Sequence, residues 1–153
     1  MSIEKDINQG RFGSEYHKAS VNLLFTHNWV MEKVKEICAS ENLTPQQFNI
    51  LRILRGSFPE PLSTMQIRQR MLDKMSDTSR IVDRLIVKGL VKKNVSLKDK
   101  RLVAVQITPQ GKQVLEKMDI KQTTLDNILG NLTAAEASIL SDLLDKIRHI
   151  PNE

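Results

Sequence analysis

One stretch of the chain decides the fold, and it runs from Ser63 to Gly111 as STMQIRQRML DKMSDTSRIV DRLIVKGLVK KNVSLKDKRL VAVQITPQG. It begins with a capping box, because the Ser63 oxygen can accept the N3 amide of a helix and Gln66 stands at N3. Ile67 and Met71 follow at i, i+4 spacing and predict one apolar stripe. The pattern therefore predicts a short helix that begins at Ser63.

A second helix is predicted a few residues later, after the cap signal Ser76-Asp77. It covers Thr78–Ile86, and its apolar residues share one buried face, namely Ile81, Val82, Leu85 and Ile86. The polar residues of the other face are free to point outward, and these are Ser79, Arg80 and Arg84.

A hairpin is predicted to follow this helix. Gly89 supplies the left-handed residue that ends the helix. Two β-branched, alternating runs, Val91–Val95 and Leu102–Ile107, then flank the charged tip Ser96–Arg101, and Leu62 is expected to add a short strand. A short first helix, a polar-faced second helix and a basic hairpin are the parts of a winged helix-turn-helix DNA reader.

The positive charge of the chain is concentrated in this stretch. Residues 63–101 contain eleven Lys/Arg and four Asp/Glu, a net charge of +7, whereas the whole chain carries +5. A DNA duplex is a dense line of phosphates, and most non-specific affinity comes from neutralising them. A basic run alone is more often a solvated face, but on this pattern it favours DNA binding.

Both ends of the chain are predicted to be helical. Ser14–Ser40 contains no Gly or Pro, and its apolar residues cover a wide face. Thr44-Pro45 opens a further helix as cap and first residue, and Thr108 opens another whose apolar residues extend to Leu129. Thr133-Ala-Ala-Glu136 is a capping box. It precedes a regular apolar stripe of Ile139, Leu140, Leu143, Leu144, Ile147 and Ile150.

Length and composition limit the class of protein. With 153 residues, of which 40% are hydrophobic, we expect one domain with a real core. No run approaches eighteen uninterrupted apolar residues, and Met1–Asp6 has no apolar core of the signal-peptide type. One cysteine cannot form an internal disulfide. We therefore expect a soluble cytoplasmic protein with no membrane partner.

Residue patterns for catalysis or metal binding are not found in the sequence. His17, His27 and His149 are scattered, and there is no Cys-x-x-Cys pair. Neither a Gly-rich phosphate loop nor a Gly-x-Ser-x-Gly elbow is present. We expect no enzymatic activity, no metal site and no cofactor.

The terminal helices carry more apolar surface than a compact winged reader needs. Roughly a dozen large apolar side chains lie on them, each worth about 1.5–3 kcal/mol when buried. They could fold over the reader of their own chain as a helical cap on a monomer. A two-fold dimer in which both ends interdigitate fits their wide faces better. A dimer also suits the reader, because two recognition helices about 34 Å apart read a palindrome.

Several motifs in combination connect the chain with a known family. They are Leu43-Thr-Pro-Gln-Gln-Phe48, Ile67–Met71, Ser79-Arg-Ile-Val-Asp-Arg-Leu85, Lys88-Gly-Leu-Val91, Asp99-Lys-Arg101 and Ile107-Thr-Pro-Gln-Gly111. With these motifs the chain resembles the MarR (multiple-antibiotic-resistance regulator) family of winged helix-turn-helix transcription factors. The resemblance covers about residues 14–150 in matching order.

The resemblance implies an architecture and a function. The fold would be mainly α with a small β wing, a winged helix-turn-helix with N- and C-terminal dimerisation helices. Residues 1–153 would form a single domain, with a DNA-binding lobe at 43–111 and a helical dimerisation lobe at 14–40 plus 112–150. The function would be that of a homodimeric regulator, most often a repressor, on a pseudo-palindromic operator in double-stranded DNA. A small apolar or aromatic effector would change its affinity.

The resemblance also implies which residues touch DNA. We expect contacts from Ser63, Thr64, Ser76, Thr78, Ser79, Arg80, Arg84, Lys98, Asp99, Lys100 and Arg101. In the wing, the Asp99 carboxylate would hold the Arg101 guanidinium for entry into an A·T-leaning minor groove. On the second helix, Arg80 could pair with guanine O6 and N7. Arg84 has the alternatives of pairing near Asp83 or lying in solvent, and Arg101 has that of an idle charge at the wing tip. Asp77 is expected to be a helix cap or a partner of the helix dipole rather than a cytosine reader.

Three questions remain open at this level. The effector would lie between the dimer helices and the reader, near Tyr16, Phe25, Trp29 and Phe48, although such side chains are more often plain core. Cys38 offers an alternative function as a redox sensor, but a small buried core thiol fits its place near a helix end better. The rival to DNA reading is a winged-helix module that docks on protein.

Overall fold

The computed structural model describes residues 2–95 and 103–149, which form a mainly helical fold with one small antiparallel sheet. In chain order the elements are α1 (Ile3–Asp6), α2 (Glu15–Ala39), α3 (Pro45–Ser57), β1 (Leu62–Ser63), α4 (Thr64–Arg70), α5 (Thr78–Val87), β2 (Val91–Val95), β3 (Val103–Ile107), α6 (Pro109–Ile120), α7 (Gln122–Asp126), a 3-10 turn (Asn127–Leu129) and α8 (Ala134–Arg148). The predicted fold class, mainly α with a small β wing, is confirmed.

Side-chain caps start most of the longer helices. In each case a hydroxyl accepts the amide of the third helical residue, which has no partner within the helix. The capping residues are Ser14, Thr44, Ser63, Thr108 and Thr133. Three of these caps are reciprocal boxes, in which a Gln or Glu side chain returns to the amide of the capping residue. The predicted helix starts at these positions are therefore confirmed.

The sheet has the strand order β1-β3-β2, and both pairings are antiparallel. Leu62 lies opposite Val105, and Val91 lies opposite Ile107. These four side chains are buried, so one face of the sheet covers the core. The short strand expected at Leu62 is present.

The core lies where α3 meets the sheet and the helices α4, α5 and α6. Its fully buried large side chains include Ile50, Leu51, Leu54, Ile67, Met71, Val82, Leu85, Val105, Ile107, Leu115 and Met118. Gly89 has φ +71° at the end of α5, which confirms the predicted left-handed stop. The core thus fixes the orientation of α5 relative to the sheet.

The C-terminal segment differs from the continuous helix that its apolar pattern suggested. Helix α6 ends at Ile120, and the backbone of the next residue, Lys121, leaves the helical region with φ −90° and ψ 5°. The Lys121 Nζ donates to Glu41 Oε1 at 2.6 Å and to Ser40 Oγ at 2.7 Å. This long-range tie to the end of α2 lies where the chain turns, and a periodicity pattern does not contain it. The short helix α1 was also not predicted.

Large apolar side chains remain exposed on the terminal helices. No residue of α8 is buried, and Ile139, Leu143 and Ile147 are exposed along it. Helix α2 exposes Leu24 and Trp29 in the same way. Within the described ranges no helix has the length and apolar character needed to cross a membrane.

Candidate nucleic-acid interface

Helix α4 is held at its start by the capping box and at its end by the core. Ser63 Oγ accepts the Gln66 amide at 3.1 Å, and the Ser63 amide donates to Gln66 Oε1 at 2.8 Å. Ser63 and Thr64 are half-buried. The Ser63 hydroxyl is therefore used first in the cap, and Ile67 anchors the helix from below.

The turn between α4 and α5 is organised by Asp73. Its Oδ1 accepts the Met75 amide at 3.0 Å, and its Oδ2 accepts the Ser76 hydroxyl at 2.6 Å. These hydrogen bonds, the one from Ser76 first, hold the pKa of the Asp73 carboxyl below its usual range. The turn lacks a glycine and is held instead by this carboxylate.

Helix α5 has one buried face and one exposed polar face. Asp77 Oδ1 caps it by accepting the Arg80 amide at 3.1 Å, as predicted for this residue. Val82 and Leu85 are buried on one side, while Ser79, Arg80 and Arg84 are exposed. A helix with these properties can bring two guanidinium groups and one hydroxyl to a duplex.

Thr78 does not belong to this face. Its side chain is buried, with 4% exposed, and its hydroxyl donates to the Met71 sulfur at 3.3 Å. The first residue of α5 points into the core, so the expected DNA contact by the Thr78 side chain is corrected to a structural role. Ser76 is half-buried and its hydroxyl is bound to Asp73.

The sheet is tied to α5 by an ion pair. Lys93 Nζ on β2 lies 2.5 Å from Asp83 Oδ1, so this pair connects the first strand of the hairpin with the exposed side of α5. The wing-tip residues Lys98, Asp99, Lys100 and Arg101 lie outside the described residues. Their expected DNA contacts therefore stay predictions.

A cleft of about 850 Å³ lies between α2 and the start of α3. It is lined by Phe25, Asn28, Trp29, Met31, Glu32, Lys35, Ala39, Leu43, Thr44, Pro45 and Gln46. Phe25 and Trp29 were expected at an effector site, and the structure brings them together here. Tyr16 is 87% exposed and is not among the lining residues, and Phe48 is a core residue with Arg52 over its ring. Those two expectations are therefore not supported as cleft contacts.

Sequence reasoning missed the polar part of this cleft. Asn28, Glu32 and Lys35 follow Phe25 at spacings of three or four residues along α2. Residues at these spacings share one helix face. The spacing therefore indicates that the three polar residues lie beside Phe25, and this pattern is present in the sequence.

The start of α3 connects the cleft with the reading helix. Thr44 and Gln46 line the cleft and also line a second cavity of about 260 Å³ that borders Arg80 and Arg84. From the other end of α5, Lys88 Nζ donates to Gln47 Oε1 at 3.1 Å. The first residues of α3 therefore lie between the cleft and α5.

Cys38 lies in the core rather than at a reactive position. Its side chain is fully buried, and burial raises the pKa of the thiol to about 11. Oxidation requires an accessible thiolate, so this environment favours a packing role over redox sensing. Among the residues described, no cluster of three or more His, Cys, Asp or Glu side chains could hold a metal ion.

Comparison with known proteins identifies relatives over most of the chain. A sequence model described as the MarR family matches residues 41–102. The crystal structure of a MarR transcription factor from Planctomyces limnophilus is 32% identical; the match covers 88% of this chain and 98% of that one, with a TM-score of 0.69.

Two further solved structures share the fold. A mutant MarR from E. coli complexed with operator DNA is 22% identical, covering 92% of this chain and all of that one, with a TM-score of 0.79. BpsR from Bordetella bronchiseptica, whose DNA binding is regulated by 6-hydroxynicotinic acid, is 20% identical, covering 92% of this chain and 99% of that one, with a TM-score of 0.78.

Proposed function

The chain belongs to the MarR family of transcription regulators, and from that membership we propose that it acts as a homodimeric repressor on a pseudo-palindromic operator. We further propose that a small aromatic effector bound in the α2–α3 cleft lowers its affinity for DNA. The observation that carries the proposal is the exposed face of α5, with Ser79, Arg80 and Arg84 on a helix whose other side is buried.

DNA reading would be divided between helix and wing. Arg80 and Arg84 would meet base edges or phosphates in the major groove, and Ser79 would donate to a nearby acceptor. Asp99 and Arg101 would serve the adjacent minor groove, a role that rests on the family resemblance. In this division residues 43–111 form the DNA-binding lobe, and residues 14–40 with 112–150 form the dimerisation lobe.

The exposed terminal helices support a homodimer. An isolated helix of 15 residues is only marginally stable in water, and α8 has that length with no buried residue. The chain exposes 11419 Å², against roughly 7,900 Å² for a compact monomer of its mass. A second copy that covers α8 and α2 would bury part of this surface and would pair two readers, as a palindrome requires.

The cleft has the composition of a site for a small aromatic molecule. Phe25 and Trp29 offer aromatic faces, and Lys35 offers a cation to an acidic group on the ligand. Glu32 also lines the cleft, so an acidic group would bind at the Lys35 side of it. BpsR is regulated by an aromatic acid of this kind. A ligand here would press on Thr44 and Gln46, which also border α5, and so could change the position of the reading helix.

The experiment that tests the function is selection of bound fragments from the source genome, followed by a salt titration on the selected operator. Several Lys and Arg from two subunits would neutralise phosphates, so log K should fall with log[salt] with a slope on the order of −5 or steeper. Deleting the gene should raise transcription from promoters that overlap the operator.

Other outcomes would contradict specific parts of the proposal. A flat salt response without enriched fragments would favour a winged-helix module that docks on protein. An enriched operator whose promoter loses activity in the deletion strain would favour an activator over a repressor.

A further inference from the structure

The turn between α4 and α5 exposes two large apolar side chains within four residues. Leu72 is 88% exposed and Met75 is 92% exposed, while Met71 next to them is fully buried. A single exposed apolar residue needs no explanation, but two that are almost fully exposed in one short turn offer apolar surface to a partner. Folding of the chain does not use this surface.

The backbone that carries these side chains is held in place. The Leu72 amide donates to Asn49 Oδ1 on α3 at 3.0 Å, and the Met75 amide donates to Asp73 Oδ1 at 3.0 Å. Lys74 Nζ also donates to the Gln69 carbonyl oxygen. Because the turn is ordered before any partner arrives, binding through it would cost less conformational entropy.

The surroundings of the turn point to one partner. Exposed cations lie on both sides of it in the chain, with Arg70 before Leu72, Lys74 within the turn and Arg80 on α5. In a helix-turn-helix the start of the second helix enters the major groove, and this turn leads directly into that start. Two exposed carboxylates lie in the same stretch, but Asp73 accepts hydrogen bonds within the turn and Asp77 caps α5. A small apolar surface with three exposed cations beside it is therefore compatible with a duplex, in which phosphates flank the groove.

We propose that Leu72 and Met75 recognise thymine through its C5-methyl group in the major groove. That methyl is the apolar feature that distinguishes thymine on the groove edge, and it is read by apolar contact rather than by hydrogen bonds. The flexible thioether of Met75 can adapt to its position. The inference rests on the proposed DNA-binding function and adds specificity-determining residues outside α5 itself.

The test replaces each thymine of the selected operator by uracil, one position at a time. Uracil keeps every hydrogen-bonding group of thymine and lacks only the methyl. The wild-type protein should prefer thymine by about three- to fivefold at one or more positions of each half-site, the effect expected for one buried methyl. The double variant Leu72→Ala/Met75→Ala should bind both forms of the operator equally at those positions.

A matched control comes from the far end of α5. Val87 is 88% exposed, so Val87→Ala removes apolar surface of similar exposure. It should retain the thymine preference. Thermal melts should show that all variants fold, as expected for side chains with so little burial.

Two results would overturn the inference while leaving the proposed function intact. One is a wild-type protein that binds its operator but is indifferent to uracil at every position. The other is a double variant that keeps the full thymine preference. That result would overturn the inference even if the double variant had a changed oligomeric state. If the wild-type protein enriches no fragment at all, the DNA-binding function itself fails, and the inference fails with it.

Discussion

Arg80 is the side chain whose geometry gives the clearest expectation for base recognition. Its backbone amide is held by the Asp77 cap, and its guanidinium is exposed near the start of α5. We predict that Arg80→Ala relaxes discrimination at particular base pairs by about 1–3 kcal/mol, the value of a bidentate base contact. Binding to a set of single-base operator variants measures this directly.

The control for Arg80 is a charge-matched variant outside the reader. Lys117→Ala removes one positive charge from the exposed side of α6. It should leave the order of preference among operator variants unchanged. If both protein variants lower the affinity for all operator variants by the same factor, Arg80 contacts only phosphate.

Trp29 provides an internal probe of the cleft, because it is the only tryptophan of the chain and lines the cleft. From the proposed effector site, we predict that an aromatic acid such as benzoate changes Trp29 fluorescence and lowers operator affinity at the same concentrations. Lys35→Ala should weaken both effects, because it removes the cation that faces the acid. A fluorescence change without any change in operator affinity would separate binding from regulation.

Single residues also mark where sequence reasoning reached its limit. Thr78 and Ser79 are neighbouring hydroxyl residues at the start of one helix, and both were expected at DNA. Packing separates them, because α5 turns Thr78 toward Met71 and Ser79 toward solvent. That rotation is set by contacts distant in sequence, which local propensities do not contain.

At the scale of elements, the start of α6 packs against the sheet at a glycine. A Cβ on Gly111 would lie 2.3 Å from the Leu90 carbonyl oxygen and 2.8 Å from Ile107 Cγ1. We predict that Gly111→Ala lowers the free energy of unfolding by about 1–3 kcal/mol, because α6 must move away from the strands. Urea denaturation measures the change.

Gly56 supplies the matched control for this substitution. It lies in α3, and no heavy atom outside its local neighbourhood lies within 4 Å of an added Cβ. Gly56→Ala should therefore be neutral or stabilising by up to about 1 kcal/mol, because it reduces the entropy of the unfolded chain. Equal destabilisation by both variants would contradict the close approach at Gly111.

Helices α3 and α6 are also joined by a bidentate ion pair. Arg55 donates to the two oxygens of Asp119 at 2.6 and 3.0 Å. The hydrogen bond from Arg55 holds the pKa of Asp119 below its usual range and raises the pKa of Arg55. Since the lowered pKa belongs to the folded state, the carboxylate stabilises the fold above its ordinary pKa, and this contribution is lost as pH falls through the lowered value.

This ion pair gives a pH-dependent prediction. At neutral pH Asp119→Asn should cost about 0.2–1 kcal/mol, a range appropriate to a partly exposed pair, and the cost should shrink at acid pH. Repeating the substitution in an Arg55→Gln background isolates the pair, and there the cost should vanish. A cost that persists in that background would mean that Asp119 acts without Arg55.

Helix starts that depend on neighbouring residues could be predicted from the sequence. Features that depend on contacts between distant residues could not. The caps at Thr44, Ser63 and Thr133 mark helix starts through residues only three positions apart. The end of α6 coincides with a contact between Lys121 and Glu41, which are 80 positions apart. The cleft likewise appears only when α2 and α3 are placed side by side.

For the whole molecule, the terminal helices expose apolar faces that the rest of the same chain does not cover. A second copy of the chain would cover them. The apolar stripe of α8 was readable from its i, i+4 spacing, but which surface covers it cannot be deduced from periodicity. Its side chains stay exposed in the single chain. The proposed homodimer thus joins stability to DNA reading, since the helices that bury this surface would also set the distance between the two readers.

This coupling yields the prediction at the largest scale. Leu143 is exposed on the apolar face of α8, and Leu143→Asp places a charge where the second copy would pack. Burying an unpaired carboxylate is costly, so the dimer should dissociate in sedimentation experiments at micromolar concentration, and operator affinity should fall with it.

Ser138→Asp adds the same charge on the opposite face of α8, where its side chain is exposed, and should leave both the dimer and the affinity intact. The isolated reading surface is unchanged in both variants, so the comparison separates loss of dimerisation from loss of DNA contacts. A wild-type protein that is monomeric at these concentrations and still binds a palindrome tightly would show that the two readers do not depend on α8.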